Sequence, residues 1–249
     1  MKTNPANEAQ IKIYAKLLRI PTFSDYNELL HQMQPEENFE DLLLDLMRKE
    51  VSQRQGNQNK RRVKAAGFPY HKSLDDLEVD RYKEKITQNF ISELSSCQFI
   101  SERKNIIMIG TPGRGKTHIA IGLGMKACSL GKRVCFKNVM SLSTELAEAK
   151  GNHELRKLEK KLQQADLLIL DELGYVSFDR YQSELLFKVI SDRSERGSII
   201  VTTNLPFSKW ASLFENNTLI AALIDRLTFK SYVLDMNGES YRLEKTLNI

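Results

Sequence analysis

The chain has 249 residues, of which 41% are hydrophobic and 28% charged, and this composition is typical of a soluble protein with one large domain or two smaller ones. Its formal net charge of +5 is compatible with nucleic acid or another acidic partner but does not require one. Three cysteines without C-x-x-C spacing argue against a zinc site or disulfide framework, and short apolar runs such as IIMI argue against a membrane segment. The amino terminus lacks the apolar core of a secretory signal, so we expect a cytoplasmic protein.

The first third of the chain predicts a small bundle of helices. Apolar residues recur at helical spacing over residues 11–18 and again over residues 39–47. The stretch GFP at residues 67–69 then breaks the helical pattern, because glycine and proline are poor helix formers. We therefore predict an all-α amino-terminal domain over residues 1–66, followed by a second domain over residues 67–249 that begins with a linker helix.

Beyond this boundary, strand-like apolar runs alternate with helical segments. The runs are NIIMIG, RVCFK, LLILD, SIIVTT and SYVLD. Strands that alternate with helices of about ten or more residues predict a parallel sheet with right-handed crossovers. The expected fold class of the second domain is therefore α/β, a parallel sheet flanked by helices.

A phosphate-binding loop follows the first of these strands and precedes a predicted helix. The stretch GTPGRGKT matches the pattern G-x-x-x-x-G-K-[ST] in the expected context. Glycines let backbone N–H groups surround a phosphate, Lys116 reaches the β- and γ-phosphates, and the Thr117 hydroxyl ligates Mg²⁺. We expect His118 to pack beside its helix. The predicted ATP-binding residues are Gly110, Thr111, Pro112, Gly113, Arg114, Gly115, Lys116, Thr117 and His118.

Two adjacent carboxylates, Asp171 and Glu172, end the apolar strand in LLILDEL. Asp171 lies where ligands gather in parallel sheets, and it could hold Mg²⁺ through water. The adjacent Glu172 is suited to polarising an attacking water molecule. The simpler interpretation is an acidic surface pair, but the lysine loop upstream favours a hydrolytic site. We therefore predict Thr117 and Asp171 as metal ligands and Glu172 as the catalytic base.

Two further residues are weaker candidates. Asn204 follows the strand SIIVTT, where its amide could orient the lytic water and sense the γ-phosphate, although Asn before Leu-Pro is also ordinary turn chemistry. Arg226 lies late in the domain within ALIDRL, and an arginine there could act on the γ-phosphate bound by a neighbouring subunit. Its simplest alternative role is a surface ion pair. Together with Lys116 and Glu172, both are predicted catalytic residues.

The order of four stretches resembles the IstB family of AAA+ ATPases. They are GTPGRGKT, LLILDELGYVSFDR, ELLFKVISDRSERGSIIVTTNLPFSKW and ALIDRL, and the second and third are more specific than the common ATPase motifs. The resemblance covers most of the chain. It implies an AAA+ P-loop sheet of the ASCE type, with ATP and Mg²⁺ as cofactors. It also implies Glu172 as base, Asn204 as sensor 1 and Arg226 as a finger acting on the next subunit.

The same resemblance implies a biological setting. Members of this family are bacterial helpers of the IstA transposase of insertion sequences, and they are similar to DnaC-type helicase loaders. We therefore expect a homo-oligomer with ATP sites at subunit interfaces, assembly on double-stranded DNA and an IstA-type transposase as partner. The residues after SYVLD are too few for the helical lid domain of typical AAA+ proteins, so we expect neither lid nor sensor 2 arginine.

A basic run near the end of the amino-terminal domain is the candidate DNA contact. Its cations are Arg54, Lys60, Arg61, Arg62 and Lys64. Winding an unbroken helix at about 100° per residue places four of them, all but Arg62, within about 60° of the apolar stripe at residues 39–47. The stretch QGNQN could break that helix, and a solvated charge run is the alternative. If DNA is bound, backbone contacts with little sequence preference are expected.

Three rival functions remain open at this point. A DnaC-like helicase loader would share the ATPase core and differ in the partner of its amino-terminal domain. A P-loop kinase would be a monomer that needs a small acceptor and ignores DNA. A DNA-binding module would retain an idle ATPase.

Overall fold

The computed structural model describes residues 5–32, 38–175, 177–214 and 217–241. The chain divides into two compact units, Met1–Arg61 and Arg62–Ile249. The third α-helix, α3, spans Phe39–Ala66 and thus supplies residues to both units. A domain boundary after residue 66, where this helix ends, stays a prediction.

The first unit contains short helices and the greater part of α3. Its other elements are α1 (Pro5–Leu18), a 3₁₀ helix (Pro21–Asp25) and α2 (Tyr26–Gln32). The apolar side chains that predicted a packed bundle are largely exposed: Leu17 is 71% and Phe39 73% exposed, whereas Leu46 is buried. The helical periodicity was thus predictive of helices, but few of the apolar side chains on these helices are buried.

A buried carboxylate ties the 3₁₀ helix to α3. Glu50 accepts hydrogen bonds from the Thr22 hydroxyl at 2.7 Å and the Thr22 amide at 3.3 Å. The Arg54 guanidinium donates to the other carboxylate oxygen of Glu50 at 2.6 Å. Burial alone would raise the pKa of Glu50, but the bonds from Thr22 and Arg54 outweigh it and hold that pKa below its usual value.

The α3 helix continues through the stretch QGNQN without a break. Gly56, Asn57 and Asn59 are poor helix formers, but the residues around them are good ones, so the helical register is maintained. Arg54, Lys60, Arg61 and Lys64 therefore keep the angular positions relative to residues 39–47 that a continuous helix predicts.

The second unit is built on a parallel sheet of five strands among the described residues, in the order β2-β3-β4-β1-β5. The strands are β1 (Asn105–Ile109), β2 (Val134–Asn138), β3 (Leu167–Leu173), β4 (Ser198–Thr203) and β5 (Ser231–Asp235). The helices are α4 (Gln88–Ser95), α5 (Gln98–Ser101), α6 (Lys116–Ser129), α7 (Val139–Gly151), α8 (Leu155–Gln164), α9 (Arg180–Arg193) and α10 (Asn217–Thr228), with 3₁₀ helices at Val79–Lys85 and Phe207–Ser212. The predicted α/β class is confirmed.

Helices cover both faces of this sheet and create two cores. Alternate residues of a strand point to opposite faces, so Ile106 and Met108 pack in one core and Ile107 in the other. The strand β4 lies between β1 and β3, which brings the carboxyl ends of these three strands together. Across the described ranges, no helix is long and apolar enough to cross a membrane.

We expect the contacts of Glu50 with Thr22 and Arg54, called here the Glu50 clamp, to weaken in acid. Because the pKa of Glu50 is lowered by folding, its stabilisation is complete above the unfolded pKa of about 4.3 and is lost as the pH falls through the folded value. Replacing Glu50 by Gln should accelerate hydrogen exchange of the Thr22 amide about fivefold at neutral pH, for a loss of about 1 kcal/mol.

The matched control is Glu8→Gln. Glu8 also forms an i,i+4 ion pair, with Lys12, but both side chains are more exposed. Exposed pairs contribute little, so this change should leave Thr22 exchange unaltered. Equal exchange in Glu50→Gln and the unsubstituted protein would contradict the clamp.

Candidate nucleotide-binding site

A cleft of about 770 Å³ opens where the carboxyl ends of β1, β3 and β4 meet. The loop after β1 forms one wall, and Glu172, Thr202 and Thr203 form another. Residues 70–72, 76–78 and 81–82, together with Tyr241, also line it. This is the edge of a parallel sheet at which ligands are generally bound.

The loop after β1 leads directly into α6, whose first residue is Lys116. The backbone at Gly113 has φ +78°, a left-handed conformation that glycine adopts without strain. A Cβ atom at Gly113 would also collide with the Ser240 hydroxyl. The loop therefore lies close to the segment after β5, and the N-terminus of α6, whose first N–H groups have no acceptor within the helix, is the kind of site that suits an anion.

The predicted phosphate lysine is buried within the loop. The Lys116 ammonium donates to the carbonyl oxygens of Gly110 at 2.6 Å and Thr111 at 2.8 Å. It lines the same cleft as Thr117 and Glu172. A cation is thus held beside the amide groups that would bind phosphate.

The Arg114 side chain braces the loop against two other segments. Its guanidinium donates to the carbonyl oxygens of Glu239 at 3.0 Å and Arg81 at 3.0 Å. The Tyr82 hydroxyl in turn donates to the Arg114 carbonyl at 2.9 Å. Arg114 is therefore within the predicted loop, but its side chain is committed to backbone carbonyl groups, a role that the motif does not reveal.

The remaining loop residues contact the same surroundings. The Thr111 hydroxyl donates to the Gly238 carbonyl at 2.7 Å, and the Gly113 carbonyl accepts from the Tyr241 amide at 3.2 Å. His118 lies with its Nε2 atom 2.6 Å from the Ser73 carbonyl oxygen, at the cleft wall. The segment 236–241 thus supports the outer side of the phosphate loop.

Asp171 is held by hydroxyl groups from two elements. Thr117 donates to its Oδ1 atom at 2.9 Å and Thr202 donates to the same oxygen at 2.6 Å. Asp171 is 5% exposed, and this burial raises its pKa, although the bonds from Thr202 and Thr117 oppose the rise. The two predicted metal ligands, Thr117 and Asp171, are therefore in direct contact.

Glu172 points into the cleft from an unusual backbone conformation. Its φ is +64°, and its side chain is exposed at the cleft wall. The Asn138 amide donates to the Glu172 carboxylate at 2.7 Å. The same Asn138 caps α7, because its Oδ1 atom accepts from the amides of Met140 and Ser141. Asn138 was missed by sequence reasoning, although a polar residue at the end of a neighbouring strand is a usable signal.

Asn204 lies one residue beyond Thr203, which lines the cleft. Its Oδ1 atom is buried and has no hydrogen-bond partner among the described residues. A Cβ atom at Gly174, the second residue after Glu172, would lie 2.8 Å from this oxygen. Gly174 thus permits the close approach of the segments that follow β3 and β4.

Arg226 is not in the cleft of its own chain. It lies on α10, where it donates to the Ala222 carbonyl at 3.0 Å and its guanidinium lies 5.1 Å from the centre of the Phe187 ring. It lines a separate cavity of about 90 Å³ near Asn105, the first residue of β1. The amino ends of the strands are opposite the edge that carries Lys116.

The basic residues of α3 fall into two groups, those that contact other protein groups and those that are exposed. Arg54 pairs with Glu50 and donates to the Arg19 carbonyl, whereas Arg62 donates to the Cys128 carbonyl at 2.8 Å. Lys60, Arg61 and Lys64 are exposed and form no ion pair within the described part of the chain. These three share one helical face, from which Arg62 is turned away.

The fold and the cleft together define a P-loop ATP-binding protein of the AAA+ class. The family model described as IstB-like ATP binding protein matches residues 15–248. The chain belongs to this family.

Two relatives come from bacterial insertion sequences. An ATP-binding protein of insertion sequence IS21 from Pseudomonas aeruginosa is 34% identical over 238 residues, covering 95% of this chain and 89% of the relative. An ATP-binding protein of insertion sequence IS5376 from Geobacillus stearothermophilus is 31% identical over 241 residues, covering 95% and 94%.

Two solved structures have a similar fold. The DnaC helicase loader has a TM-score of 0.53 at 21% identity, covering 71% of this chain and 98% of that one. AMPPCP-bound DnaA from Aquifex aeolicus has a TM-score of 0.58 at 16% identity, covering 74% and 57%. At such identities the likeness concerns the fold alone, and it confirms the AAA+ sheet.

We expect Gly113→Ala to lower ATP affinity at least about tenfold. The added methyl group strains a left-handed backbone and collides with Ser240, so the loop or the segment that carries Ser240 must shift. Gly131→Ala is the matched control, because Gly131 has φ +85° and no atom within 4 Å of the added Cβ. It should lower the melting temperature without changing ATP affinity. Equal ATP affinity in Gly113→Ala and Gly131→Ala, measured by titration of a fluorescent ATP analogue, would contradict the packing of the loop against Ser240.

Proposed function

We propose that this protein is an ATP-hydrolysing regulator that oligomerises on double-stranded DNA and recruits and activates an IstA-type transposase. Hydrolysis then dismantles the assembly. The observation that carries the proposal is the pairing of Asp171 and Glu172 at the strand end beside Lys116, with Arg226 outside the same cleft. Membership of a family with relatives in insertion sequences supports transposition as the setting.

The cleft residues fit a magnesium–ATP complex. The Thr117 hydroxyl and the Asp171 carboxylate are hard oxygen donors in contact, and burial of the carboxylate is the kind of cost that a divalent cation offsets. These two residues would hold Mg²⁺, directly or through water. When bound, the ion would neutralise charge on the β- and γ-phosphate oxygens.

The chain's own groups then have distinct roles. Lys116 and the amides at the start of α6 bind the phosphates, which fixes the γ-phosphate toward Glu172. Glu172 accepts a proton from the attacking water as general base. Asn204 supplies an amide that orients this water, and its unpaired buried oxygen is consistent with a group whose partner is a ligand.

Arg226 completes the site from a neighbouring copy. A guanidinium that stabilises charge on the transferred phosphoryl group is a large catalytic term, and no side chain of α10 lines the cleft of its own chain among the described residues. Hydrolysis would therefore require assembly, and loss of the γ-phosphate would remove what holds two subunits together.

The exposed face of α3 is the proposed DNA contact. Lys60, Arg61 and Lys64 project from one side of a continuous helix, in the arrangement that suits a row of phosphates. Contacts of this type carry little sequence information. Residues 1–66 would serve DNA and partner binding and residues 67–249 the ATPase, in the bacterial cytoplasm.

A DnaC-like helicase loader is the second candidate function. The similarity of the fold to the DnaC helicase loader favours it, but this similarity concerns the fold of the ATPase and does not identify the protein that this chain binds. Pull-down against an IstA-type transposase and against a replicative helicase separates the two. Binding to the helicase alone would overturn the transposition role.

We expect Glu172→Gln to reduce ATP hydrolysis at least about a hundredfold, because the amide cannot accept a proton from water. ATP-dependent assembly on DNA should persist.

Arg226→Ala should stop hydrolysis in a homomeric assembly, whereas mixing it with a Lys116→Ala chain should restore part of the rate. In such mixtures an intact cleft can receive an intact Arg226. Hydrolysis by Arg226→Ala alone at the original rate, or no recovery in the mixture, would contradict action between subunits.

Replacing Lys60, Arg61 and Lys64 by Gln should flatten the salt dependence of DNA binding by about 0.9 for each phosphate that is no longer neutralised, about 2.7 in total. The control replaces Arg48, Arg133 and Lys188 by Gln, which removes the same charge from cations paired with Asp45, Asp166 and Glu159. The slope of log K against log salt concentration measures both. A similar change in the control would assign the effect to net charge and not to this face.

A further inference from the structure

The ladder between β3 and β4 is irregular at the two carboxylates. Leu170 is paired with Val201, but Leu173 is paired with Thr203, so β3 contains one residue more than β4 across this interval. The extra residue falls at Asp171 and Glu172, where Glu172 has φ +64°. A non-glycine residue persists in this conformation when its surroundings fix it, and such strain is common at functional sites.

One hydroxyl group occupies the centre of this irregularity. The Thr202 oxygen donates its proton to the Asp171 carboxylate at 2.6 Å and accepts the Glu172 amide proton at 2.9 Å. Thr202 is 1% exposed, so no solvent replaces either bond. A single hydroxyl therefore forms a hydrogen bond with the Asp171 carboxylate, the candidate metal ligand, and another with the backbone amide of Glu172, the candidate base.

We propose that Thr202 is the positioning residue for hydrolysis, fixing Asp171 and Glu172 relative to each other. The inference rests on the proposed function, because it gives Glu172 the role of base. Thr117 also donates to Asp171, but Thr117 is a proposed magnesium ligand, so Thr202 is the donor without a second role. Threonine suits the position because its branched side chain has few rotamers in a strand.

The hydroxyl of Thr202, and not the size of its side chain, is decisive for this role. Valine has nearly the same shape but can neither donate nor accept, so the Glu172 amide would lose its acceptor. Serine retains both hydrogen bonds and loses a methyl group. Because ATP is bound mainly by the loop after β1 and by Lys116, Thr202→Val should affect the reaction far more than nucleotide binding.

The experiment compares Thr202→Val, Thr202→Ser and Ser198→Ala in the full chain with DNA. Ser198 is a matched control at the other end of β4: it is equally buried, and its hydroxyl donates to the Phe99 carbonyl at 3.1 Å. Thr202→Val should lower kcat at least about tenfold with ATP affinity within about twofold, and Thr202→Ser should stay within about threefold in both. Ser198→Ala should lower the melting temperature without changing kcat.

Hydrogen exchange of the Glu172 amide gives a second readout. It should accelerate at least about tenfold in Thr202→Val and remain slow in Thr202→Ser and Ser198→Ala. If Thr202→Val does not fold, Thr202→Ala takes its place in both measurements. An unchanged kcat in the valine or alanine variant, or a serine variant as slow as either, would overturn the role of Thr202. Unchanged hydrolysis in Glu172→Gln would instead contradict the proposed base.

Discussion

The position of β4 between β1 and β3 is the constraint on which the candidate site depends. This strand separates the carboxyl end of β3 from that of β1, and the Thr117 hydroxyl at the start of α6 still reaches the Asp171 carboxylate at 2.9 Å. The same arrangement brings Glu172, Thr202 and the loop after β1 to one cleft. It also places the Thr202 hydroxyl beside Asp171, to which it donates at 2.6 Å. The chemistry of the cleft thus follows from strand order.

The phosphate loop depends on contacts far from it in the sequence. Arg114 is a charged residue of the loop, yet its guanidinium is directed to carbonyl groups of Arg81 and Glu239. A buried guanidinium is costly unless its donors are paired, so these contacts fix three segments relative to one another. The loop is therefore held in shape by contacts from outside it.

The sequence predicts those parts of the fold and the site that depend on neighbouring residues, and it does not predict those that depend on contacts between distant segments. Lys116, Thr117, Asp171 and Glu172 belong to local patterns at strand ends, and parallel strands bring such ends to one edge. The roles of Asn138, Thr202 and the Arg114 side chain depend on which strand neighbours which, and a single sequence does not specify strand order. The α3 helix shows the opposite case, because QGNQN contains local breakers that good helix formers on both sides outweigh. The apolar stripes of the amino-terminal helices predicted these helices correctly, but helical periodicity does not predict whether another element packs against the apolar side chains.

Under the proposed function, charge gives a reason why one chain would hold ATP without hydrolysing it quickly. A bound triphosphate brings several negative charges, and further charge develops on the γ-phosphoryl oxygens during transfer. Of the two arginines that line the cleft, Arg114 is occupied by carbonyl groups and Arg81 lies 4.5 Å from the centre of the Tyr241 ring. Lys116 is a point charge suited to the ground-state phosphates, and it lacks the planar fork with which an arginine contacts two oxygens at once. Under the proposed function, the missing guanidinium is Arg226 of the next subunit. Its own chain keeps it at the opposite edge of the sheet, so under this proposal an isolated subunit would be slow and an assembled one active.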